Sequence, residues 1–317
     1  MEYQPKHQIS RRGFIGSAGL LAAGLCISPK WVLAQQSPVI TITNAAKTAK
    51  ITIIKLRGNI SMLEGSGGNI AVLNGPEGKL LVDAGIGVSK PNILNALNSI
   101  SNKPIKYLVN SHWHFDHAGG NEWLHKAGAT IIAQDITRKH LEKTTRVDDW
   151  NYTFSPPPAA ALPTVLYKTE HTHHFNGEKI TIKAYPPAHT DGDSSIFFPN
   201  ANILHMADTF WNGYYPFIDY STGGNIAGMI RAAQMNIDKT TKETIVIPGH
   251  GPVGNQQQLI EFHDMLVTIH AKIANMKKQG KLLNEVLAAK PTAAYDAKFG
   301  GFAIDGNFFT RLVYKGV

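Results

Sequence analysis

Cysteine is nearly absent: the 317-residue chain has one, Cys26, within an amino-terminal stretch that reads as a signal rather than as part of the fold. From residue 35 onward there is neither a disulfide nor a thiolate metal ligand to call on. Basic runs are missing too. The net charge is +8, but +3 of it sits in the first 34 residues, and no run of five basic residues occurs. No footprint for nucleic acid is visible, and a mildly basic solvated surface is the expectation. Long apolar runs are also lacking, the stretch Leu20–Ile27 being too short and too rich in glycine and alanine for a membrane span. There is no Gly-X-Ser-X-Gly elbow to carry a serine nucleophile. What is present is an ordinary globular composition, 43% hydrophobic and 17% charged, with length to spare for a buried core.

Ser10-Arg11-Arg12-Gly13-Phe14-Ile15, the short apolar stretch and Ala34 together read as a twin-arginine export signal over residues 1–34. An uncleaved anchor or a chance arginine pair are the alternatives. Export predicts a periplasmic or secreted protein with no stable membrane association after cleavage.

Beyond the signal, β-branched runs predict strands at Val39–Ile42 and Ile51–Leu56. Asn69–Leu73 and Lys79–Asp83 flank Asn74-Gly75-Pro76-Glu77-Gly78, a hairpin signal. Ser89–Ile100 has helical spacing, and Ile105–Val109 reads as a buried strand. Thr145–Pro163, with Pro156, Pro157 and Pro158, predicts an irregular loop. Strands resume between Val165 and Met206, a glycine-rich aromatic loop runs to Gly224, and the tail from Gln256 is helical. Two blocks of strands, each followed by helices, predict two stacked sheets with helices outside, in one domain over residues 35–317.

The chemistry concentrates at His112-Trp113-His114-Phe115-Asp116-His117, directly after a buried strand. His112 and His114, two apart on extended backbone, point to one side, and the following turn aims Asp116 and His117 nearby. Three imidazoles and a carboxylate within six residues are unfavourable to bury unless they bind something, and they are an ordinary zinc ligand set. His189, Asp208 and His250 follow in loop settings after strands, each a weak signal alone.

At this point the chain resembles the metallo-β-lactamase superfamily over nearly all of residues 35–317. The likeness is carried by His-X-His-X-Asp-His, by Leu81-Val82-Asp83-Ala84-Gly85 and by the later histidine, aspartate and Pro248-Gly249-His250 in family order. The resemblance implies an α/β fold, an αββα four-layer sandwich, with one metal held by His112, His114 and His189. It places the second metal on Asp116, His117 and His250, with Asp208 bridging the two as in glyoxalase II-like and lactonase-like members. It makes Asp83 a carboxylate that orients a ligand histidine. The cofactors expected are two divalent metal ions, Zn2+ first, with Fe or Mn also suited to nitrogen and oxygen ligands. The mechanism implied is attack on a carbonyl by hydroxide held between the metals, with Asp116 beside the departing group.

The partner expected is a small-molecule substrate. Trp211, Tyr214, Tyr215 and Phe217, after Asp208, are candidates to line an apolar pocket, with Asn212 or a tyrosine hydroxyl at the scissile carbonyl. Aromatic packing under a long loop is the other reading. Trp113 and Phe115 alternate with the ligands and should point into core, His205 into core or behind the ligands. His171-Thr172-His173-His174, before Asn176-Gly177, reads as a solvated strand edge and not as a second metal site. Lactone, thioester and β-lactam cleavage all fit. β-Lactamases with a cysteine ligand are excluded, and Asp208, where cysteine-free ones usually carry serine, weakens a strict β-lactamase assignment. An iron protein handling oxygen or sulfur, and a non-catalytic metal-binding periplasmic partner, are the readings from other classes.

Overall fold

A computed structural model describes residues 37–317; the predicted signal, residues 1–34, lies outside them. The described chain begins with helix α1 (Pro38–Ala46) and then builds β1 (Thr52–Lys55), β2 (Ile60–Glu64), β3 (Ile70–Gly75), β4 (Gly78–Val82), α2 (Lys90–Ile100) and β5 (Ile105–Val109). Next come α3 (Phe115–Ala118), α4 (Asn121–Lys126), β6 (Thr130–Gln134), α5 (Asp135–Leu141), a hairpin of β7 (Thr145–Val147) and β8 (Tyr152–Phe154), and β9 (Val165–Tyr167). The second block holds β10 (Glu170–Phe175), β11 (Glu178–Ala184), β12 (Ser194–Phe198), β13 (Ile203–Trp211), α6 (Ile226–Lys239) and β14 (Ile245–His250). Four helices close the chain: α7 (Gln256–Lys278), α8 (Leu283–Ala288), α9 (Ala293–Phe299) and α10 (Gly306–Lys315).

The strands form a seven-stranded sheet, β1-β2-β3-β4-β5-β6-β9, and a five-stranded sheet, β10-β11-β12-β13-β14. Alternation along each strand decides the layering. Met62, Leu73, Leu80 and Val109 of the first sheet share one apolar cluster with Ile180, Ile182, Ile196 and Ile203 of the second, so the sheets pack face to face. The neighbouring residues Leu63, Val72, Leu81 and Leu108 pack outward with Ile93 and Leu97 of α2. Leu204, Met206 and Val246 pack outward with Met229 of α6 and Leu259, Phe262 and Leu266 of α7. This is the αββα order expected from the strand blocks. The hairpin at Pro76-Glu77 is present, with Gly75 paired to Gly78. Among the described residues no helix is long and apolar enough to cross a membrane.

Three local expectations are corrected. Val39–Ile42 is helical, not a strand: Ser37 caps the segment through its Oγ, which accepts from Val39 N at 3.3 Å, and Pro38 opens the first turn. A cap and a first-turn proline outweigh the β preference of the branched residues. Within Thr145–Pro163 the chain forms the β7–β8 hairpin, turned by Asn151 at φ 47°. The third concerns β13, which does not stop at Met206 but runs to Trp211. Its pairing with β14 shifts register at Ala207, which sits at φ 46°. That irregularity bends the strand and redirects the next side chain, Asp208.

Candidate metal centre

The carboxyl ends of strands from both sheets deliver the polar cluster. β5 leads through Asn110 and Ser111 into His112 and His114, and His114 stands at the N-cap of α3, whose first turn carries Asp116 and His117. β13 supplies Asp208, β14 supplies His250, and the turn between β11 and β12 supplies His189. All seven side chains are buried.

Two groups result: His112, His114, His189 and Asp208, and Asp116, His117 and His250, with the ligand atoms of each group within 4.8 Å of one another. Asp208 reaches both. Its Oδ2 lies 3.3 Å from His189 Nε2, 4.0 Å from His112 Nε2 and 3.5 Å from His250 Nε2, and its Oδ1 lies 3.0 Å from His117 Nε2. Asp116 Oδ2 stands 3.3 Å from His250 Nε2.

The outer nitrogens are spoken for. Nδ1 of His117 meets Asp83 Oδ2 at 2.8 Å, and Asp83 also accepts from Ser111 N at 2.8 Å and Ser111 Oγ at 2.7 Å. Asp83 holds this position at φ 66°, a conformation uncommon outside glycine. Nε2 of His114 meets Asp219 Oδ2 at 3.0 Å, and Nδ1 of His189 meets the Phe217 carbonyl at 2.8 Å. Nδ1 of His112 lies 3.0 Å from Ser111 Oγ. Hydrogen bonding at the outer nitrogen leaves the inner one a lone pair.

Those inner lone pairs face each other. His189 Nε2 and His114 Nδ1 are 2.9 Å apart. His112 Nε2 and Asp116 Oδ1 are buried with no hydrogen-bond partner among the described residues, and His117 Nε2 and Asp208 Oδ1 face only each other, at 3.0 Å. Buried acceptors converging without donors are unfavourable unless cations or protons lie between them. Nitrogen and oxygen donors in two groups sharing one aspartate fit a pair of divalent ions.

The electrostatics agree. Burial disfavours a charged His250, but the Asp208 and Asp116 carboxylates prevail and push it up to about 9. His117 is likewise raised well above its ordinary value, against its burial, by Asp208, Asp116 and Asp83. Burial opposes ionisation of Asp208, yet His117, His250 and His189 hold it well below the usual carboxylate range. His112 goes the other way, lowered by burial and by His117. In the metal-free chain the carboxylates thus favour protonated His117 and His250, while burial keeps His112 neutral.

Close approach forces glycine at two points. A Cβ on Gly68 would lie 2.1 Å from His117 Cε1, and one on Gly249 would lie 1.9 Å from Asp208 Oδ1. Asn69 locks these segments together, its Nδ2 donating to the carbonyls of Pro248 at 3.0 Å and Gly251 at 2.9 Å.

The expected pocket residues divide. Trp211 is buried, with its ring 4.2 Å from that of His250, and Tyr214 is half-buried. Asn212 is turned away, its Nδ2 donating to Pro252 O at 2.9 Å. Tyr215 is corrected to core: it is fully buried, stacked on Phe309 at 4.8 Å, with its hydroxyl donating to Asp296 Oδ1 at 2.9 Å. Phe217 is buried as well, stacked on Trp150 at 4.4 Å. Trp113 points into core as expected and donates to Thr222 Oγ1, which in turn donates to Asp219. Phe115 is half-buried against Phe154. His205 is buried behind the ligands with its Nε2 3.2 Å from Asn69 O. His171 and His173 lie on edge strand β10 as expected, but both are half-buried, and His173 packs on Tyr107 at 4.2 Å.

Asp219, which holds His114, is a site residue that sequence reading misses. The signal was faint: Asp219-X-X-Thr222 is a local turn pattern, and nothing in it marks a partner 105 residues away.

Comparison with known proteins bears on the same segments. The family described as "Metallo-beta-lactamase superfamily" matches residues 63–255, which include every ligand candidate. Metallo-beta-lactamase IND-1 of Chryseobacterium indologenes is 21% identical over 159 residues, 50% of this chain and 61% of that protein. The match thus spans about three fifths of that relative's length. Acyl-coenzyme A thioesterase MBLAC2 of Gallus gallus is 23% identical over 209 residues, 59% of this chain and 73% of that one. Among solved structures, the sec-alkylsulfatase Pisa1 from Pseudomonas sp. superposes with a TM-score of 0.63 at 18% identity, over 84% of this chain and 50% of its own. At that identity the likeness speaks for the fold alone.

Proposed function

This chain belongs to the metallo-beta-lactamase superfamily, and we propose that it is an exported, dinuclear zinc-dependent hydrolase cleaving a carbonyl C–N, C–O or C–S bond. The observation that carries the reading is Asp208, whose two carboxylate oxygens reach the ligand nitrogens of both groups. On this reading His112, His114 and His189 hold one ion, Asp116, His117 and His250 the other, and Asp208 both. When bound, such a pair supplies Lewis acidity and a hydroxide-strength nucleophile near neutral pH.

The chain's own residues supply the rest. Asp83 and Asp219 fix the tautomers and ring planes of His117 and His114, so the ligand lone pairs are aimed before anything binds. Asp193 accepts from His189 N at 2.7 Å and Thr190 N at 2.9 Å, which holds the His189 turn. Burial opposes ionisation of Asp116, but His117 and His250 hold its carboxyl below the usual range, so Oδ1, buried beside the second group, is an acceptor that orients a proton-bearing group near the departing nitrogen, oxygen or sulfur.

Likeness to a β-lactamase and to an acyl-coenzyme A thioesterase supports carbonyl chemistry. Asp208 in a ligand position favours the lactone and thioester side of that range. The arginine pair Arg11-Arg12 supports export, and the substrate class is a small molecule. The test is a panel of a chromogenic β-lactam, a lactone and a thioester offered to metal-loaded protein. Turnover of at least one supports the reading, and inertness toward all three overturns it.

A further inference from the structure

The hydrolase reading leaves open what lies beside the scissile bond, and a residue of the carboxyl-terminal tail bears on it. Between α9 and α10 the chain passes Gly300-Gly301 and presents Phe302, which is 51% exposed. Among the described residues Phe302 is the only aromatic counted with the exposed large hydrophobics. Its position is not arbitrary. The ring lies 4.8 Å from that of Tyr214, 6.1 Å from Trp211 and 6.0 Å from the His250 imidazole. Trp211 in turn lies 4.2 Å from His250. Tyr214 covers the next residue: a Cβ on Gly251 would come within 3.2 Å of its Cε2.

Three rings from two distant segments therefore gather on one side of a single candidate ligand, and the outermost keeps half its surface in water. Ring surface left exposed beside a reaction centre is surface available to a substrate. The character of this wall narrows the choice. Glu64 is half-buried at the end of β2 and forms no ion pair among the described residues. Burial and then Glu64 push the Tyr214 phenol up, so it stays an uncharged group, and burial raises Glu64 itself. The wall's exposed surface is ring face, which favours a neutral apolar group.

We propose that Phe302 is a specificity-determining residue: with Trp211 and Tyr214 it forms an aromatic wall beside His250 that receives an uncharged apolar group, aryl or alkyl, of the substrate. This rests on the hydrolase reading for its placement in catalysis, but the wall itself is tested by binding.

The experiment compares the metal-loaded full chain with Phe302→Ala and Phe302→Leu, using acetate and phenylacetate as probes in calorimetric titrations. Wild type binds phenylacetate more tightly than acetate. In Phe302→Ala the ratio of the two affinities falls by about tenfold, the scale of one lost aromatic contact. Phe302→Leu, which keeps apolar bulk, retains part of the ratio and serves alone should the alanine variant not fold. In turnover, the kcat/KM ratio of S-benzyl over S-methyl thioacetate falls in the same order. Equal binding of the two probes by wild type, or an affinity ratio that the substitutions leave unmoved, overturns the proposal. If wild type cleaves neither thioester, thioester turnover is lost from the hydrolase reading, while the phenylacetate ratio still decides the wall.

Discussion

His114 Nδ1 and His189 Nε2 face each other across 2.9 Å while their opposite nitrogens are engaged by Asp219 and by the Phe217 carbonyl. Each ring is thus fixed with a lone pair turned toward the other. Two acceptors at that separation repel unless a positive charge lies between them. The relationship depends on Asp219, a residue with no motif of its own.

Replacing that carboxylate gives the first prediction. In Asp219→Asn the His114 tautomer is no longer enforced, and metal affinity at the His112–His114–His189 group falls by about 10- to 100-fold. Chelator competition on the purified variant measures it. An affinity equal to wild type removes Asp219 from the account.

Proton release gives the second. In the metal-free chain His250 is pushed up to about 9, its burial outweighed by Asp208 and Asp116, and His117 is raised with it. Metal must displace these protons, so apparent affinity rises as pH climbs toward 9 and protons are released on loading. The metal-free fold responds oppositely. A raised folded pKa stabilises fully below the ordinary histidine value, and that contribution is lost as pH rises through about 9. Metal-free protein should therefore melt lower at pH 9.5 than at pH 6.5, by roughly 5 °C on the usual scale for chains of this size. Buffer-dependent calorimetry and thermal melts check both; pH-independent affinity contradicts the assignment.

A third prediction concerns the glycine loop before β3. Gly68→Ala puts a methyl group 2.1 Å from the His117 ring. The ring must swing off Asp83, so metal at the Asp116–His117–His250 group and hydrolysis are lost together, the latter by more than about 100-fold. Both metal content and rate are read on one sample, and a variant that keeps full metal and rate refutes the packing argument.

Much of the centre is legible in the sequence. His112 to His117 sit in one short run because a turn after a buried strand can bring neighbours to one point, and such local geometry is written in spacing. Asp83 could be placed only through family resemblance. Asp208 could be named, but its setting could not: the strand continues past it, bent at Ala207, and that bend is fixed by pairing with β14 rather than by local preference. Ser37 and Pro38 turned a β-branched run into helix, a cap effect that a run-length reading overlooks. Tyr215 stands among pocket candidates in the sequence, but its hydroxyl donates to Asp296 on a helix 81 positions later. Long-range partners of this kind leave no trace in spacing.

The proposed function requires two ions held by seven side chains, with hydrolysis dependent on them. Metal content per chain, measured on the same sample that is assayed against β-lactam, lactone and thioester, tests it most directly. The account predicts two equivalents and turnover of at least one substrate in wild type, with metal and turnover both lost in His114→Ala. One equivalent or fewer in active wild type, or hydrolysis retained by His114→Ala, would contradict it.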